Sequence, residues 1–102
     1  GGWRGERLPG QVRRLPAQRV LIAIGYRHPA HDDVIGALGL DLDGRGNVHA
    51  DADGYRTSRD GVFACGDARR GPSLVVWAIR EGRQCARAVD LYLSGASDLP
   101  RV

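Results

Sequence analysis

The sequence predicts an α/β fold in which short apolar strands, a small antiparallel hairpin and one long helix pack together. Three segments carry this prediction. The run 19–24 is apolar on both faces, as is typical of a buried central strand. A second apolar run, 62–65, has the same character. Segment 74–94 repeats apolar residues at helical spacing, which predicts a long amphipathic helix near the end of the chain.

The segments before and between these elements read as surface and turns. Residues 1–18 are rich in Gly, Arg and Pro and predict a surface segment or the cut edge of a domain. Either Asp32 or Asp33 is expected to cap a short helix that ends at Gly39. Within 40–50, two short alternating segments flank a Gly/Asn turn, and this pattern predicts the hairpin.

The long helix has clear start and stop signals. Ser73 is the predicted N-cap, and Gly95 stands where a left-handed C-terminal residue is expected. Gly82 lies in mid-helix, where it costs about 1 kcal/mol relative to Ala, so we expect it to permit close approach to a sheet. The predicted buried face consists of Val75, Ala78, Ile79, Gly82, Cys85, Ala86, Val89 and Leu93.

Composition excludes several classes of function. The net charge of +3 comes from arginines scattered along the chain, whereas nucleic-acid binders concentrate their basic residues, so no nucleic-acid partner is expected. No apolar run approaches the ~20 residues that cross a bilayer, which predicts a cytoplasmic protein with no membrane contact. The chain has no Met at all, and we interpret it as a piece of a longer polypeptide.

Two cysteines, Cys65 and Cys85, stand twenty positions apart without a CxxC pair or a nearby histidine cluster. Metal ligation needs more ligands at tighter spacing. The sequence therefore predicts two small buried thiols in a reducing compartment, with neither a metal nor a disulfide.

One stretch carries the chemistry: an apolar strand, Gly66-Asp67, a loop, Ser73 and then a helix. A buried strand delivers such a Gly-Asp pair to the carboxyl edge of a sheet, where open α/β folds hold ligands. Glycine lets a ligand touch the backbone, and the carboxylate accepts hydrogen bonds from hydroxyl groups. The free N–H groups at the helix start, at Leu74 and the residues after it, favour negative charge. Together these features predict a polyol-bearing, electron-rich ligand. A turn followed by an ordinary capped helix remains the alternative.

The same residues resemble a known family. GVFACGD resembles the GVFAAGD fingerprint of flavoproteins with two dinucleotide-binding domains, in which the Asp meets the ribityl chain of FAD. The longer string GVFACGDARRGPSLVVWAIREGRQCARAVDLYL, with YRTSRD before it and LSGASDLPR after it, resembles the small (beta) subunit of NADPH-dependent glutamate synthase. RVLIAIGY is similar to that family's second signature, a strand closed by a glycine where the flavin and pyridine-nucleotide domains meet.

The resemblance implies that residues 19–102 form the C-terminal half of a Rossmann-like FAD-binding domain. It implies FAD as cofactor, NADPH as electron donor, and iron–sulfur clusters held only by an N-terminal region of the parent subunit. The implied partners are the glutamate synthase large subunit and the remainder of the same subunit, without which the fragment is expected to be inactive. Self-association is expected on separate grounds, because the predicted strands at 20–24 and 62–65 have lost sheet neighbours. No catalytic residue is implied, and the expected cofactor-binding residues are Gly25, Gly66, Asp67, Ser73, Leu74 and Val75.

Some positions depart from the family pattern, and two other functions stay open. Cys65 and Cys85 stand where small residues such as Ala are expected, and Pro72 stands where the family often has Gln. Arg69 and Arg70 could assist phosphate binding, but solvated loop arginines are the default expectation.

Two alternative functions stay open for the chain. One is a fragment of another NAD(P)H-dependent flavoprotein reductase, such as a pyrimidine-degrading dehydrogenase, and the other is a non-catalytic interaction module that keeps the fold.

Overall fold

The computed structural model describes residues 4–102. Their regular structure consists of three helices, α1 (Val34–Leu38), α2 (Asp67–Arg70) and α3 (Val75–Ser94), together with two isolated β-bridges. The radius of gyration is 18.7 Å and the longest axis is 62 Å. A compact domain of about 100 residues would have a radius of gyration of about 13 Å. The described chain is therefore markedly elongated, and none of its helices is long and apolar enough to cross a bilayer.

An extended N-terminal arm, residues 4–28, accounts for much of this length, and every residue in it is exposed. The buried strand predicted at 19–24 is wrong for this chain. These residues form no β-pairing with the rest of the described chain, and Val20 and Ile24 are 79% and 93% exposed. A central strand needs neighbours on both sides for its backbone hydrogen bonds, and the described residues supply none.

Helix α1 lies where the sequence predicts it. Its N-cap is Asp33, and its C-cap, Gly39, adopts the left-handed conformation at φ 63° and ψ 38°. The Asp33 side chain makes no capping hydrogen bond, because at φ −117° and ψ −127° its backbone is outside the extended region from which N-cap side chains reach the first turn. The position of the helix is confirmed, but the carboxylate cap is not formed.

The predicted hairpin at 40–50 is reduced to one antiparallel bridge, between Leu42 and Val48. Two backbone hydrogen bonds flank this bridge, from Asp43 N–H to the Asn47 carbonyl and from His49 N–H to the Asp41 carbonyl. The Asp43 carboxylate accepts the backbone N–H groups of Arg45 and Asn47 at 2.8 and 3.0 Å. The N–H of Val48 donates to the carbonyl of Ala68 at 2.8 Å, outside the turn. These bonds hold the turn and dock it on α2. The ladder stops at Asp41, whose N–H would pair with His49 but donates instead to Oγ of Ser58 at 2.8 Å.

The second predicted strand, 62–65, also forms only one bridge, between Arg56 and Phe63. The N–H of Ala64 donates to the carbonyl of Tyr55 at 3.0 Å, next to that bridge. The strand prediction is therefore wrong in extent, although the segment is extended and half-buried. Its backbone reaches Gly66 beside the long helix.

Helix α3 spans 20 residues and ends as predicted at Gly95, whose φ of 76° is left-handed. Its start differs from the prediction by one residue. Leu74 is the N-cap and makes no side-chain capping bond, so the predicted role of Ser73 as N-cap is wrong. The Ser73 hydroxyl instead donates to Oδ1 of Asp67 at 3.2 Å. Ser73 therefore links the segment before α3 to the first residue of α2 and does not cap α3.

The face of α3 that packs on the chain is only partly the predicted one. Glu81 and Cys85 are its buried residues, whereas Val75 and Leu93 are 73% and 75% exposed. At 3.6 residues per turn, the exposed apolar row lies roughly a quarter turn around the helix from the buried row. The helical periodicity is confirmed, but the described chain covers the neighbouring side of the helix.

The core between α3 and the turns is small. Its buried apolar residues are Val48, Tyr55 and Cys85. Phe63 extends it by an edge-to-face contact with Tyr92, with ring centroids 5.4 Å apart. So small a core leaves long apolar stretches of the arm and of α3 in contact with solvent.

Candidate functional site

A cleft of about 210 Å³ brings the two predicted signature segments together. One wall comes from the arm, just after Gly25, and the other from the turn that follows Gly66. The residues that line the cleft are Tyr26, His28, Pro29, Asp67, Ala68 and Pro72. The meeting of these segments, which lie far apart in sequence, makes this cleft the candidate site.

Gly66 starts the turn in a conformation that other residues rarely adopt, at φ 66° and ψ −145°. A Cβ at this position would lie 3.9 Å from both Cα and Cβ of Ala78 on α3, so the turn sits directly against the helix. Gly66 is also the N-cap of α2, and its carbonyl accepts the N–H of Arg70 at 2.8 Å. The segment after Asp67, which the sequence led us to expect as a loop, therefore begins with a short helix.

Asp67 is the first residue of α2, and it lines the cleft with an exposed side chain. Its Oδ1 accepts the hydroxyl of Ser73 at 3.2 Å. An ionised carboxylate has about four acceptor positions, so this bond leaves capacity for the hydroxyl groups of a ligand. Asp67 therefore lines the cleft with free acceptor positions, and its role as a polyol acceptor stays a prediction.

The other predicted site residues divide into two groups. Ser73 contacts Asp67, and α3 begins two residues later, so the helix N-terminus starts near the cleft. Gly25, Leu74 and Val75 are not among the residues that line it. Gly25 adopts a φ of 98°, which only glycine tolerates well, at the residue before the cleft wall. Gly25 turns the arm at this point, and its expected contact with a cofactor stays a prediction.

Glu81 is a residue of this region that the sequence did not lead us to predict. Its side chain is 5% exposed. Oε1 accepts the backbone N–H of Gly66 at 3.1 Å and Nε of Arg69 at 2.8 Å, and Oε2 accepts the Arg69 Nη2 at 3.0 Å. The Arg69 hydrogen bonds lower the pKa of the Glu81 carboxyl below its ordinary value. The sequence did contain a signal for Glu81. It lies three residues after Ala78 and four before Cys85, and this spacing places a carboxylate on the same side of the helix as two residues of the predicted buried face.

Arg69 and Arg70 are not the solvated loop arginines that we expected, because their side chains are only 18% and 33% exposed. Nε of Arg70 lies 3.3 Å from Oε2 of Glu81, within ion-pair distance, yet it makes no hydrogen bond. The Arg70 guanidinium lies over the ring of Trp77, 4.4 Å from its centroid. Both arginines are therefore held against α3.

The two thiols meet beside this turn. Cys65 directly precedes Gly66, and Cys85 lies one helical turn after Glu81; both cysteines are free, and Cys85 is buried. Burial, and then the neighbouring Cys65 thiol, raise the pKa of Cys85 to about 12. A thiol with so high a pKa holds little thiolate near neutral pH and is a poor nucleophile.

Comparison with known proteins identifies the family of this chain. The profile of the pyridine nucleotide-disulphide oxidoreductase family matches residues 4–82. The chain belongs to this family. Membership implies a Rossmann-like FAD-binding fold.

Relatives of named function match nearly the whole chain. It is 46% identical over 100 residues to the glutamate synthase [NADPH] small chain of Bacillus subtilis, covering 98% of this chain and 20% of that protein. It is 47% identical over 94 residues to the glutamate synthase [NADPH] small chain of Mycobacterium tuberculosis, covering 92% of this chain and 19% of that protein. It is 41% identical over 100 residues to the glutamate synthase [NADH] of Schizosaccharomyces pombe, covering 98% of this chain and 5% of that protein. The chain thus spans about a fifth of the length of these curated small chains.

Cys85 is buried and Cys65 is only partly buried, so we expect the two thiols to be alkylated at different rates. At pH 8 we expect iodoacetamide to modify Cys65 faster than Cys85. Because a raised pKa means that thiolate appears only at higher pH, the Cys85 rate should still rise about tenfold per pH unit from 8.5 to 10.5, where an ordinary thiol of pKa about 8.5 levels off. Because the folded state favours the neutral Cys85 thiol, it binds this proton more tightly than the unfolded state does. The stability that this preference contributes is therefore lost as pH rises towards 12.

Mass spectrometry of the full chain at each pH measures both rates, and the chain in denaturant, where the two rates should converge, is the control. A Cys85 rate that levels off at pH 9 in the folded chain contradicts the burial of this thiol. Absence of two free thiols under denaturing, non-reducing conditions contradicts the expectation that no disulfide forms.

Proposed function

We propose that residues 19–102 are the C-terminal part of the FAD-binding domain of a glutamate synthase small subunit, with 1–18 as the edge of that domain. The observation that carries the proposal is the cleft in which the segment after Gly25 meets Asp67. The relatives that match nearly all of the chain support it, since several are named as NADPH-dependent small chains. In this proposal, NADPH reduces FAD and the electrons pass to a large subunit that forms glutamate.

The residues present fit one part of an FAD molecule. Ligand pockets usually enclose about 300–1,000 Å³, so a cleft of about 210 Å³ accommodates a portion of such a ligand. Gly66 brings bare backbone to this portion, and Asp67 offers a carboxylate to hydroxyl groups, which suits the ribityl chain. FAD, when bound, supplies the chemistry of accepting a hydride. Asp67 would bind and orient its polyol chain.

The start of α3 would stabilise negative charge on the bound flavin. Its N-terminal N–H groups, at Val75 and Val76, are those that an α-helix leaves without internal partners. Such an end stabilises nearby negative charge by typically about 0.3–1 kcal/mol. We place the electron-rich edge of the flavin on this side, next to Leu74, so that reduction is favoured.

The rest of the pocket would come from the remainder of the same subunit. The chain contains no GxGxxG loop for a pyrophosphate and no cysteine cluster for iron–sulfur centres. The exposed apolar residues of the arm and of α3, among them Val20, Ile24, Val75 and Leu93, give that remainder a surface to cover. We assign no acid, base or nucleophile to this segment; it completes a cofactor pocket, in the cytoplasm.

The coding sequence upstream of this segment distinguishes the proposal from its alternatives. Two glycine-rich nucleotide fingerprints preceded by a cysteine cluster are expected for a glutamate synthase small subunit. The same fingerprints in another gene context favour a different NAD(P)H-dependent reductase. Their absence contradicts the cofactor assignment and favours an interaction module.

The 102-residue chain alone is expected to bind FAD weakly or not at all, because the pyrophosphate loop is not part of it. Titration of the chain with FAD, followed by flavin fluorescence, measures this. Stoichiometric binding at submicromolar FAD would contradict the proposal that the pocket is incomplete.

Sedimentation of the same samples is the control for that titration. We propose that the isolated chain self-associates through the exposed apolar segment 20–24, whose unpaired backbone invites edge-to-edge pairing. Binding is therefore measured at concentrations where the assembly state is known. A stable monomer at high concentration contradicts the self-association.

Asp67→Ala in the full-length subunit should weaken FAD retention about tenfold to a hundredfold. A hydrogen bond to a charged acceptor contributes about 1.5–3 kcal/mol, and each factor of ten corresponds to about 1.4 kcal/mol. The Asp67 side chain is exposed, so the fold should be unchanged. Dialysis followed by the flavin absorbance ratio measures retention. Asp41→Ala, which removes an exposed carboxylate outside the cleft, is the matched control. Equal retention by the Asp67→Ala protein and its parent would overturn this assignment.

A further inference from the structure

We propose that Glu81 is a positioning residue for the cofactor: it fixes the turn that carries Asp67 and so sets how tightly the cleft holds a hydroxyl-bearing chain. This inference rests on the proposed function, in which Asp67 accepts hydrogen bonds from the ribityl chain of FAD. Glu81 itself does not line the cleft. Its effect would be transmitted entirely through α2.

The contacts of Glu81 hold α2 at both ends. At the N-terminal end, Oε1 accepts the N–H of Gly66, the residue immediately before Asp67. At the C-terminal end, the same carboxylate binds Arg69 through two hydrogen bonds of 2.8 and 3.0 Å and lies 3.3 Å from Nε of Arg70. Since α2 is only four residues long, these contacts span all of it.

A helix of one turn has no stability of its own, because nucleation fixes several residues for each hydrogen bond gained. The orientation of Asp67 must therefore come from contacts outside α2. Its side-chain contact is the Ser73 hydroxyl, on a loop that is itself exposed. The buried carboxylate of Glu81, with three hydrogen bonds and an ion pair, is the stronger constraint. Its lowered pKa indicates that the charged form is the one that the site stabilises.

A positioning role and a purely structural role differ in one measurable respect. An ion pair that only stabilises the fold would change FAD affinity to the same degree whether or not Asp67 is present. A residue that acts by orienting Asp67 loses its effect when Asp67 is removed. A double-mutant cycle between the two positions measures this difference directly.

The experiment uses the full-length flavoprotein and measures FAD dissociation constants for the parent, Glu81→Ala, Asp67→Ala and the double variant. We expect Glu81→Ala to weaken FAD binding about tenfold when Asp67 is present and less than about twofold in the Asp67→Ala background. Glu81→Gln keeps an oxygen for the N–H of Gly66 but loses the charge. Its FAD affinity should therefore lie between those of Glu81→Ala and the parent. Asp90→Asn, on the same helix away from the turn, is the matched control and should change nothing.

Equal weakening by Glu81→Ala in both backgrounds would overturn the positioning role, as would unchanged affinity in a folded Glu81→Ala protein. If Glu81→Ala fails to fold, the cycle built with Glu81→Gln makes the same distinction. Failure of the proposed function looks different, because Asp67→Ala alone would then leave FAD affinity unchanged. In that case the Gly66 amide proton, in NMR spectra of the full-length subunit, still tests the positioning. It should lie downfield in the parent and move upfield in Glu81→Ala, and an unchanged amide shift would overturn the inference.

Discussion

The structure depends on one buried carboxylate. Moving an ion into a protein interior costs several kcal/mol even after relaxation, and the cost is offset only by well-formed partners. Glu81 has such partners in the Gly66 amide and in Arg69 and Arg70. Because these partners lie 11 to 15 residues before Glu81, satisfying the charge also closes the loop between the Gly66 turn and α3. The same interaction that keeps the charge buried therefore shapes the cleft.

The turn at 43–47 also contacts the region of α2. The N–H of Val48 donates to the carbonyl of Ala68, and the fully buried Asn47 places its Nδ2 3.1 Å from the position a Cβ of Gly71 would occupy. A side chain at Gly71 would push this turn away, and its φ of 91° is also strained for other residues. Helix α2 is thus held by a turn and by α3, chiefly through polar contacts. Its placement does not need a large apolar core.

The predictions that succeeded concern features determined by sequence neighbours. Gly39 and Gly95 end their helices in the left-handed conformation, because a helix end depends on residues within one turn of it. The strand predicted at 19–24 failed, since strands depend on partners elsewhere in the chain. Asp67 was predicted as a ligand-binding residue from the Gly66-Asp67 pair, and that role stays a prediction. Glu81 was missed because its importance comes from partners that only the folded loop brings to it.

Domain completion and cofactor binding are, in our proposal, linked equilibria. The exposed apolar arm leads directly into the residues that form one wall of the cleft. Burying apolar surface contributes roughly 25 cal/mol per Å². A covering segment that buries the arm would therefore also hold Tyr26 and His28 against the Asp67 turn. A ligand that binds only this closed arrangement stabilises it further as the ratio of ligand concentration to dissociation constant rises. Cofactor loss and exposure of the arm should accordingly accompany one another.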